Sequence, residues 1–551
     1  LGDLDQDYEN QQEKDNLRVE ALTAALSLFK NCKSDNTYFL TGDCLDICEV
    51  LIKYDPYGDN SEDDEESNAL ADDIKDYNDF EDEDGDSYSD YEDDEDADDD
   101  NCSWKVRLEA LNVLSCVIEN FPQRLPLALK KCFNDIMILL DIEKNKNVLL
   151  RLCETLSFIF ELSSPDGAYY NLLNSKNMAE TTNGRRLSDV SMACDDDPYA
   201  LFVGSAENIN EKILKLIRSN EAVVNDKPEA FLKLVSNITR TLGGVGSHYV
   251  ESYIVALNQS WNSIPYTVQT HYFYSAFLEN DKIDSFGDGL PYFVNFLKNC
   301  LSNRSNQKMV LEGMSLINEI FETQCLGDGD YNSTIRNNDI VTQLSNVLVG
   351  FLLGKLTDRN LSSEMRLQAL NSLTSMCLKA QLDKETVKSI LNALTETLST
   401  EVLAFNTLNA IKKFCSSGKI NFAISPEWIK AILGYILQYF KISELSGTCV
   451  KTVSIITSSG FFDEADGKSI LLAIGTLFSN KMFTPLNCVD IGITLTNILD
   501  KVNITSDMTT FISVLIELSK FDEFDEVLPD LMEKILLQTT DSSLSQAIQS
   551  F

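Results

Sequence analysis

Two histidines, His248 and His271, are the only imidazoles in this chain of 551 residues, and a general base working near neutral pH is most often a histidine. Neither stands in a neighbourhood that suggests a nucleophile and its base. Gly243-Gly244-Val245-Gly246 has the composition of a phosphate-cradling loop, but no strand precedes it and no Gly-Lys-Ser follows, so it reads as a turn between helices. Asp328-Gly329-Asp330 is too short for a calcium loop and lacks the later Glu. Cys44 and Cys48 are four residues apart and could hold a metal on one helix face, but no companion pair exists and core packing is the better reading. Asn-x-Ser/Thr sequons at Asn237 and Asn503 carry little weight without a secretory signal. No catalytic, cofactor-binding or metal-binding set emerges, and the expectation is a protein that is not an enzyme and uses no cofactor.

The elements that would position any functional residue are dominated by charge in one place. The formal net charge is −42, but residues 55–100 hold 25 Asp or Glu against a single Lys, Lys75, which places −24 in 46 residues and leaves −18 for the rest. Such a chain is a poor ligand for a phosphate backbone, which demands Lys and Arg; a charge-selected partner is basic. Hydrophobic content of 44%, with 28 Phe and 19 Tyr, is ample for a buried interior, and the length exceeds what one compact core fills, so several domains or a repeat array are required.

The chain opens on Leu1 and a polar, acidic stretch to Asp15, which reads as an internal fragment or a processed product. No unbroken run of eighteen apolar residues and no basic segment followed by an apolar core is seen, so neither a membrane span nor a signal peptide is expected. The 14 cysteines are irregularly spaced and lack C-x-x-C, and Cys116, Cys153 and Cys377 fall at apolar helix positions. Reduced core thiols in a cytoplasmic and nuclear protein are the expectation.

Apolar spacing gives helix after helix and almost no convincing strand. Val387, Ile390, Leu391, Leu394 and Leu398 form one helical face, and Ile429, Ile432, Leu433, Ile436, Leu437 and Phe440 form another. Helices end in polar breaks such as Ser416-Ser417-Gly418 and Ser458-Ser459-Gly460. The stripes are wide, as a helix packed between two neighbours requires.

An internal repeat sets the architecture. The segments around Arg18, Arg107 and Arg366 share the pattern apolar-Arg-apolar-acid or amide-Ala-Leu, and Leu150-Arg151-Leu152 begins the same way. Arg18 and Arg107 are 89 residues apart, or 43 once the 46-residue acidic tract is removed, and Arg107 to Arg151 is 44. Leu391, Leu433, Leu472 and Ile512 keep step roughly every 40 residues, a period typical of two-helix solenoid repeats. The fold class expected is all-α, an α-solenoid of roughly eleven HEAT- or armadillo-type repeats with a long acidic insertion loop and apolar faces left exposed at both ends. The expected divisions are repeats over 1–54 with an incomplete start, a disordered acidic loop at 55–102, repeats over 103–163, an irregular loop at 164–205 with room for one short helix, repeats over 206–540 and a tail at 541–551.

The acidic tract then joins a helix at about Thr41–Lys53 to a helix that starts with Ser103 as N-cap and Trp104 as first-turn anchor. Arg18, Arg107, Arg151 and Arg366 read as structural, pairing with acidic residues between stacked helices. Trp104 reads more readily as packing than as a contact for a partner. Nevertheless Trp104 and Lys105, with Asp93, Asp94, Glu95, Asp96, Asp98, Asp99 and Asp100 before them, form the candidate partner-binding segment. Arg185-Arg186-Leu187-Ser188 suits a basophilic kinase, and Ser61, Ser87 and Ser89 precede acidic residues as acidophilic kinases prefer, giving four candidate phosphorylation sites.

The segment from "LIKYDPYGDN" to "YSDYEDDEDADDDNCSWKVRLEALNVL" resembles the acidic insertion of the cullin-associated, neddylation-dissociated proteins. Lys53, Tyr54, Asp55 and Pro56 match one flank, and Ser103, Trp104, Lys105, Val106 and Arg107 match the other. "FNDIMILLDIEKNKNVLLRLCETLSFIFELSSP" and "LLGKLTDRNLSSEMRLQALNSL" are similar to the following repeats in order. The match is strong over 40–165, looser over 340–480 and poor over 166–335, the pattern of a divergent, fungal-type fragment.

That resemblance implies a HEAT solenoid that wraps around a cullin and its RING subunit when the cullin is unneddylated, blocking neddylation and assisting adaptor exchange. It implies a monomer or a 1:1:1 complex, with no nucleic acid and no membrane. The adaptor-displacing end of such a protein is not recognisable in this fragment. The acidic tract is then either a solvated charge run or an arm that steers a basic face of the cullin and RING module. The competing readings are an importin-β-like nuclear transport receptor, whose solenoid also carries an acidic loop, and a phosphatase-type scaffold.

Overall fold

The computed structural model describes residues 2–32, 35–55, 102–165, 167–172, 197–219, 221–261, 267–323, 331–480, 484–502 and 508–538. The described residues form α-helices and short 3-10 turns, with no strand among them. The chain is an all-α solenoid of helical repeats, and its contacts divide it into two compact units, Leu1–Asp281 and Lys282–Phe551.

The first unit contains α1 (Gly2–Asn31), α2 (Asp35–Ile52), α3 (Ser103–Asn120), α4 (Leu125–Ile142), α5 (Lys146–Ser163), α6 (Pro198–Gly204), α7 (Ala206–Ser219), α8 (Glu221–Asp226), α9 (Pro228–Leu242), α10 (Val250–Trp261) and α11 (Val268–Asn280). Helices α1, α3, α5, α9 and α11 stack in one layer, and α2, α4, α7 and α10 stack in the other. This alternation is why the apolar stripes are wide. In α3, Val106, Ala110, Leu111, Val113, Leu114, Val117 and Ile118 are all buried, since the helix meets α1 and α5 within its layer and α2 across it. Each such aliphatic side chain removed from water contributes about 1.5–3 kcal/mol.

The second unit contains α12 (Leu290–Ser302), α13 (Gln307–Thr323), α14 (Tyr331–Thr357), α15 (Ser363–Lys379), α16 (Lys384–Leu398), α17 (Glu401–Ser417), α18 (Pro426–Tyr439), α19 (Ser443–Ser458), α20 (Glu464–Ser479), α21 (Cys488–Leu499), α22 (Met508–Leu518) and α23 (Leu528–Gln538). Odd-numbered helices from α13 to α23 form one layer and even-numbered helices from α12 to α22 the other. Starts are fixed by side-chain caps: Ser362, Asp383, Ser425 and Asp463 accept from the first free amides of α15, α16, α18 and α20.

Helix ends in the odd-numbered layer are closed by the next helix of that layer. Lys379 donates to the Phe321 carbonyl, Lys419 to Leu378 at 2.8 Å, Ser459 to Cys415 at 3.3 Å, Lys501 to Gly460 at 2.6 Å and Lys534 to Thr496 at 3.4 Å. The last carbonyls of a helix have no partner of their own and carry the negative end of its dipole, so an ammonium there satisfies both needs. Gly418 and Gly460 make the turns possible, with φ of 68° and 74°, left-handed values that side chains resist.

The start of α3 departs from the sequence reading. Ser103 is not the N-cap of α3; Cys102 holds that position without a side-chain cap, and the Ser103 hydroxyl instead accepts from Arg107 Nη1 at 3.2 Å. The span expected to be irregular at 164–205 contains α6, whose Phe202 is buried against Phe133 and Phe160, with Pro198 and the Asp197 cap setting its start. Within α14, Asp339–Thr357 has mean hydropathy 1.4 and is long and apolar enough by composition to cross a membrane. It contains no unbroken run of eighteen apolar residues because Thr342, Gln343, Ser345, Asn346 and Lys355 interrupt it, and Val341, Leu344, Leu348, Leu352 and Leu356 form a buried stripe among α12, α15 and α16.

Candidate functional site: the root of the acidic insertion

Lys53 and Tyr54 close α2 just before the acidic tract, and Arg107 is the fifth residue of the helix that follows it. Arg107 donates from Nη1 to the Tyr54 carbonyl at 2.9 Å, so one guanidinium ties the two flanks together. The same group meets Glu143 in a forked pair, Nε to Oε2 at 2.7 Å and Nη2 to Oε1 at 3.2 Å. Glu143 also accepts from the amides of Lys144 and Asn145, at 3.0 and 2.8 Å. The side chains of Arg107 and Glu143 are 12% and 3% exposed. A buried ion pair whose remaining lone pairs and donors are satisfied is costly to break from one side, because the other charge is left stranded.

Tyr54 extends the clasp to α1. Its hydroxyl donates to Asp15 Oδ1 at 2.7 Å and accepts from Arg18 Nη1 at 2.7 Å, while Arg18 also donates to Asp15 at 2.7 Å. Gln11 joins the same hydroxyl. Burial, and then the Asp15 carboxylate, push the Tyr54 phenol up to about 12. Lys53 reaches Asp135 of α4 at 3.4 Å. Two consecutive residues thereby bind α1, α3 and α4 at the point where the tract leaves the fold.

The four repeat arginines take different partners. Arg18 and Arg107 meet at Tyr54. Arg366, buried, donates from Nε to the Leu356 carbonyl at 3.0 Å and so closes the end of α14. Of the four, Arg107 alone makes the expected pair with a carboxylate at the end of another helix: Arg366 meets a carbonyl, and Arg18 and Arg151 bond Asp15 and Glu154 of their own helices at 2.7 and 3.0 Å, i,i+3 contacts favoured by helix geometry alone. Trp104 is half-buried with the Lys105 ammonium 5.4 Å from its ring centre, and Lys105 also approaches Cys102 Sγ at 3.8 Å. Asp93, Asp94, Glu95, Asp96, Asp98, Asp99 and Asp100 lie outside the described residues, as do Ser61, Ser87, Ser89 and Ser188.

A second root repeats the device. Tyr170 bonds Asp197, the residue that caps α6, and so joins the described residues on either side of 173–196. The sequence reading placed Tyr54 on the flank of the insertion without giving it a role, and it missed Asp15, Glu143, Tyr170 and Asp197. A tyrosine placed immediately before a break was the available signal, but its partners lie 27 to 39 residues away and periodicity does not reach them.

Among the described residues no group of three or more His, Cys, Asp or Glu could hold a metal. Cys44 and Cys48 are buried and share a hydrogen bond that lowers the Cys44 thiol and raises Cys48, and burial pushes Cys132 up to about 12. Gly243–Tyr249 is a 3-10 turn between α9 and α10.

No family model matches the chain. No curated protein matches it either. Among solved structures it is similar to Kap95p in a complex with RanGDP, with TM-score 0.37 and 12% identity over 79% of this chain and 61% of that one. It is also similar to Kap121p bound to Nup53p, with TM-score 0.37 and 10% identity over 98% and 55%, and to importin beta, with TM-score 0.35 and 9% identity over 81% and 55%. The chain spans between 55% and 61% of the length of these three. The likeness is one of helical-repeat fold.

Proposed function

We propose that this chain is a non-catalytic scaffold that binds protein partners, and that its acidic insertion acts on a basic surface of the partner from a fixed point on the fold. The observation that supports this is the clasp itself. A solvated charge run with no task needs no rigid root, whereas here a forked, buried ion pair and a tyrosine relay hold both flanks of a segment carrying −24. Carboxylates concentrated at one place raise the encounter rate with a basic surface and lose that effect as salt screens them.

Two partner classes fit such a scaffold in the cytoplasm and nucleus. One is an unneddylated cullin with its RING subunit, which rests on the resemblance of Lys53–Pro56 and Ser103–Arg107 to the flanks of that family's insertion. The other is the Ran GTPase and cargo of a transport receptor, which rests on the importin-type acidic loop. A capture experiment separates them: immobilised chain is offered cullin and RING subunit, neddylated or not, and Ran loaded with GTP or GDP. Selective retention of the unneddylated pair supports the first class, and nucleotide-selective retention of Ran supports the second. Retention of neither, with the chain folded by circular dichroism, contradicts both.

A further inference from the structure

The acidity of the chain is interrupted in the second unit by a groove of about 410 Å³ between the α15–α16 turn and the α17–α18 turn. Its floor is Leu382, Val387 and Ile420, all buried, and its lip is Phe422, which is 51% exposed. Its charged lining residues are Lys379 and Lys419, and no carboxylate lines it. In a chain with 87 Asp and Glu against 45 Lys and Arg, that reverses the prevailing sign.

The lysines are held by the fold rather than scattered over its surface. Gly418 reverses the chain after α17 and lays Lys419 over the end of α15, where it donates to Leu378; Lys379 donates to Phe321 at the end of α13. An ammonium has three donors, so each retains capacity beyond its carbonyl. The nearby carboxylates are engaged elsewhere. Asp383 accepts from the Glu385 and Thr386 amides and from the Thr386 hydroxyl, and Glu385 pairs with Lys388 at 2.9 Å.

We infer that this groove docks a short acidic segment of a partner protein, with one apolar side chain seated against Phe422 and Leu382 and flanking carboxylates on Lys379 and Lys419. Charge complementarity selects this occupant, since a basic segment would face two ammonium groups, whereas carboxylates would meet the donors that these groups retain beyond their carbonyls. The surface is separate from the acidic root and would bind the opposite kind of sequence.

Fluorescence anisotropy on the whole chain tests this with three labelled peptides: an Asp/Glu-rich peptide bearing one central Phe, the same peptide with Ser in place of Phe, and a Lys-rich peptide bearing Phe. The acidic Phe peptide alone binds, and Phe422→Ala and Lys419→Met each weaken it on the order of tenfold, the equivalent of one lost contact. Phe422→Ala removes exposed atoms, so thermal melting should match the parent chain and keeps the test valid if Lys419→Met loosens α15. Equal binding of the Lys-rich peptide, unchanged affinity in Phe422→Ala, or no binding at all overturns the inference. Dimerisation that Phe422→Ala abolishes in sedimentation would assign the groove to a second copy and overturn it as well.

Discussion

Arg107 concentrates the stabilising work of the insertion root in one side chain. Removing it strands Glu143 in a nearly dry site and frees the Tyr54 carbonyl, so Arg107→Ala should cost about 3–5 kcal/mol in chemical denaturation. A double-mutant cycle with Glu143→Ala should show strong coupling, and additive losses would mean that the pair does not act as a unit. The thiols make a separate prediction. Burial pushes Cys132, Cys153, Cys300, Cys377, Cys415 and Cys449 up to about 12, above the ordinary 9. The folded chain therefore holds these protons more tightly than the unfolded one, a contribution complete below about 9 and lost as pH rises towards about 12. Denaturation midpoints should fall across that alkaline window, and a thiol reagent under native conditions should label exposed Cys32 well before these six. The repeated arginines could be read from the sequence as repeat markers. Their partners could not, because a guanidinium on a helix turn reaches a carboxylate, a carbonyl or a phenol according to what the neighbouring helix presents.

At the scale of the element, stacking depends on missing side chains as much as on present ones. A Cβ at Gly467 would come within 2.5 Å of Val502 Cγ2, and one at Gly313 within 2.7 Å of the Cys300 Cβ. Gly467→Ala should therefore destabilise the second unit by about 1–3 kcal/mol, as overpacking does, despite alanine's better helix propensity. A rise in melting temperature would show that α20 shifts freely and would contradict the tight stacking described. Helices and their period were legible because a two-layer stack imposes a wide apolar stripe on every helix and repeats it about every 40 residues. Helix α6 was legible only as the one short helix that the loop at 164–205 had room for, with Asp197 and Pro198 marking its start; its packing was not, because the rings that bury Phe202 come from α4 and α5, distant in the sequence. The Ser103 cap was misread because Ser103 is already the first residue of α3, one place past the cap position, and its hydroxyl meets Arg107 one turn further along the same helix.

In the whole molecule, ordered stacks of helical pairs carry a concentrated anionic segment whose two flanks the clasp holds. Association rate against salt tests that claim most directly. The chain, and a variant with residues 56–101 replaced by a neutral linker of the same length, would be mixed in stopped flow with whichever partner is captured, at low and at physiological ionic strength. The account predicts that the parent chain's rate falls steeply with salt and that the neutral variant is slower and nearly flat, with dissociation little changed. Identical salt slopes for the two chains would contradict it.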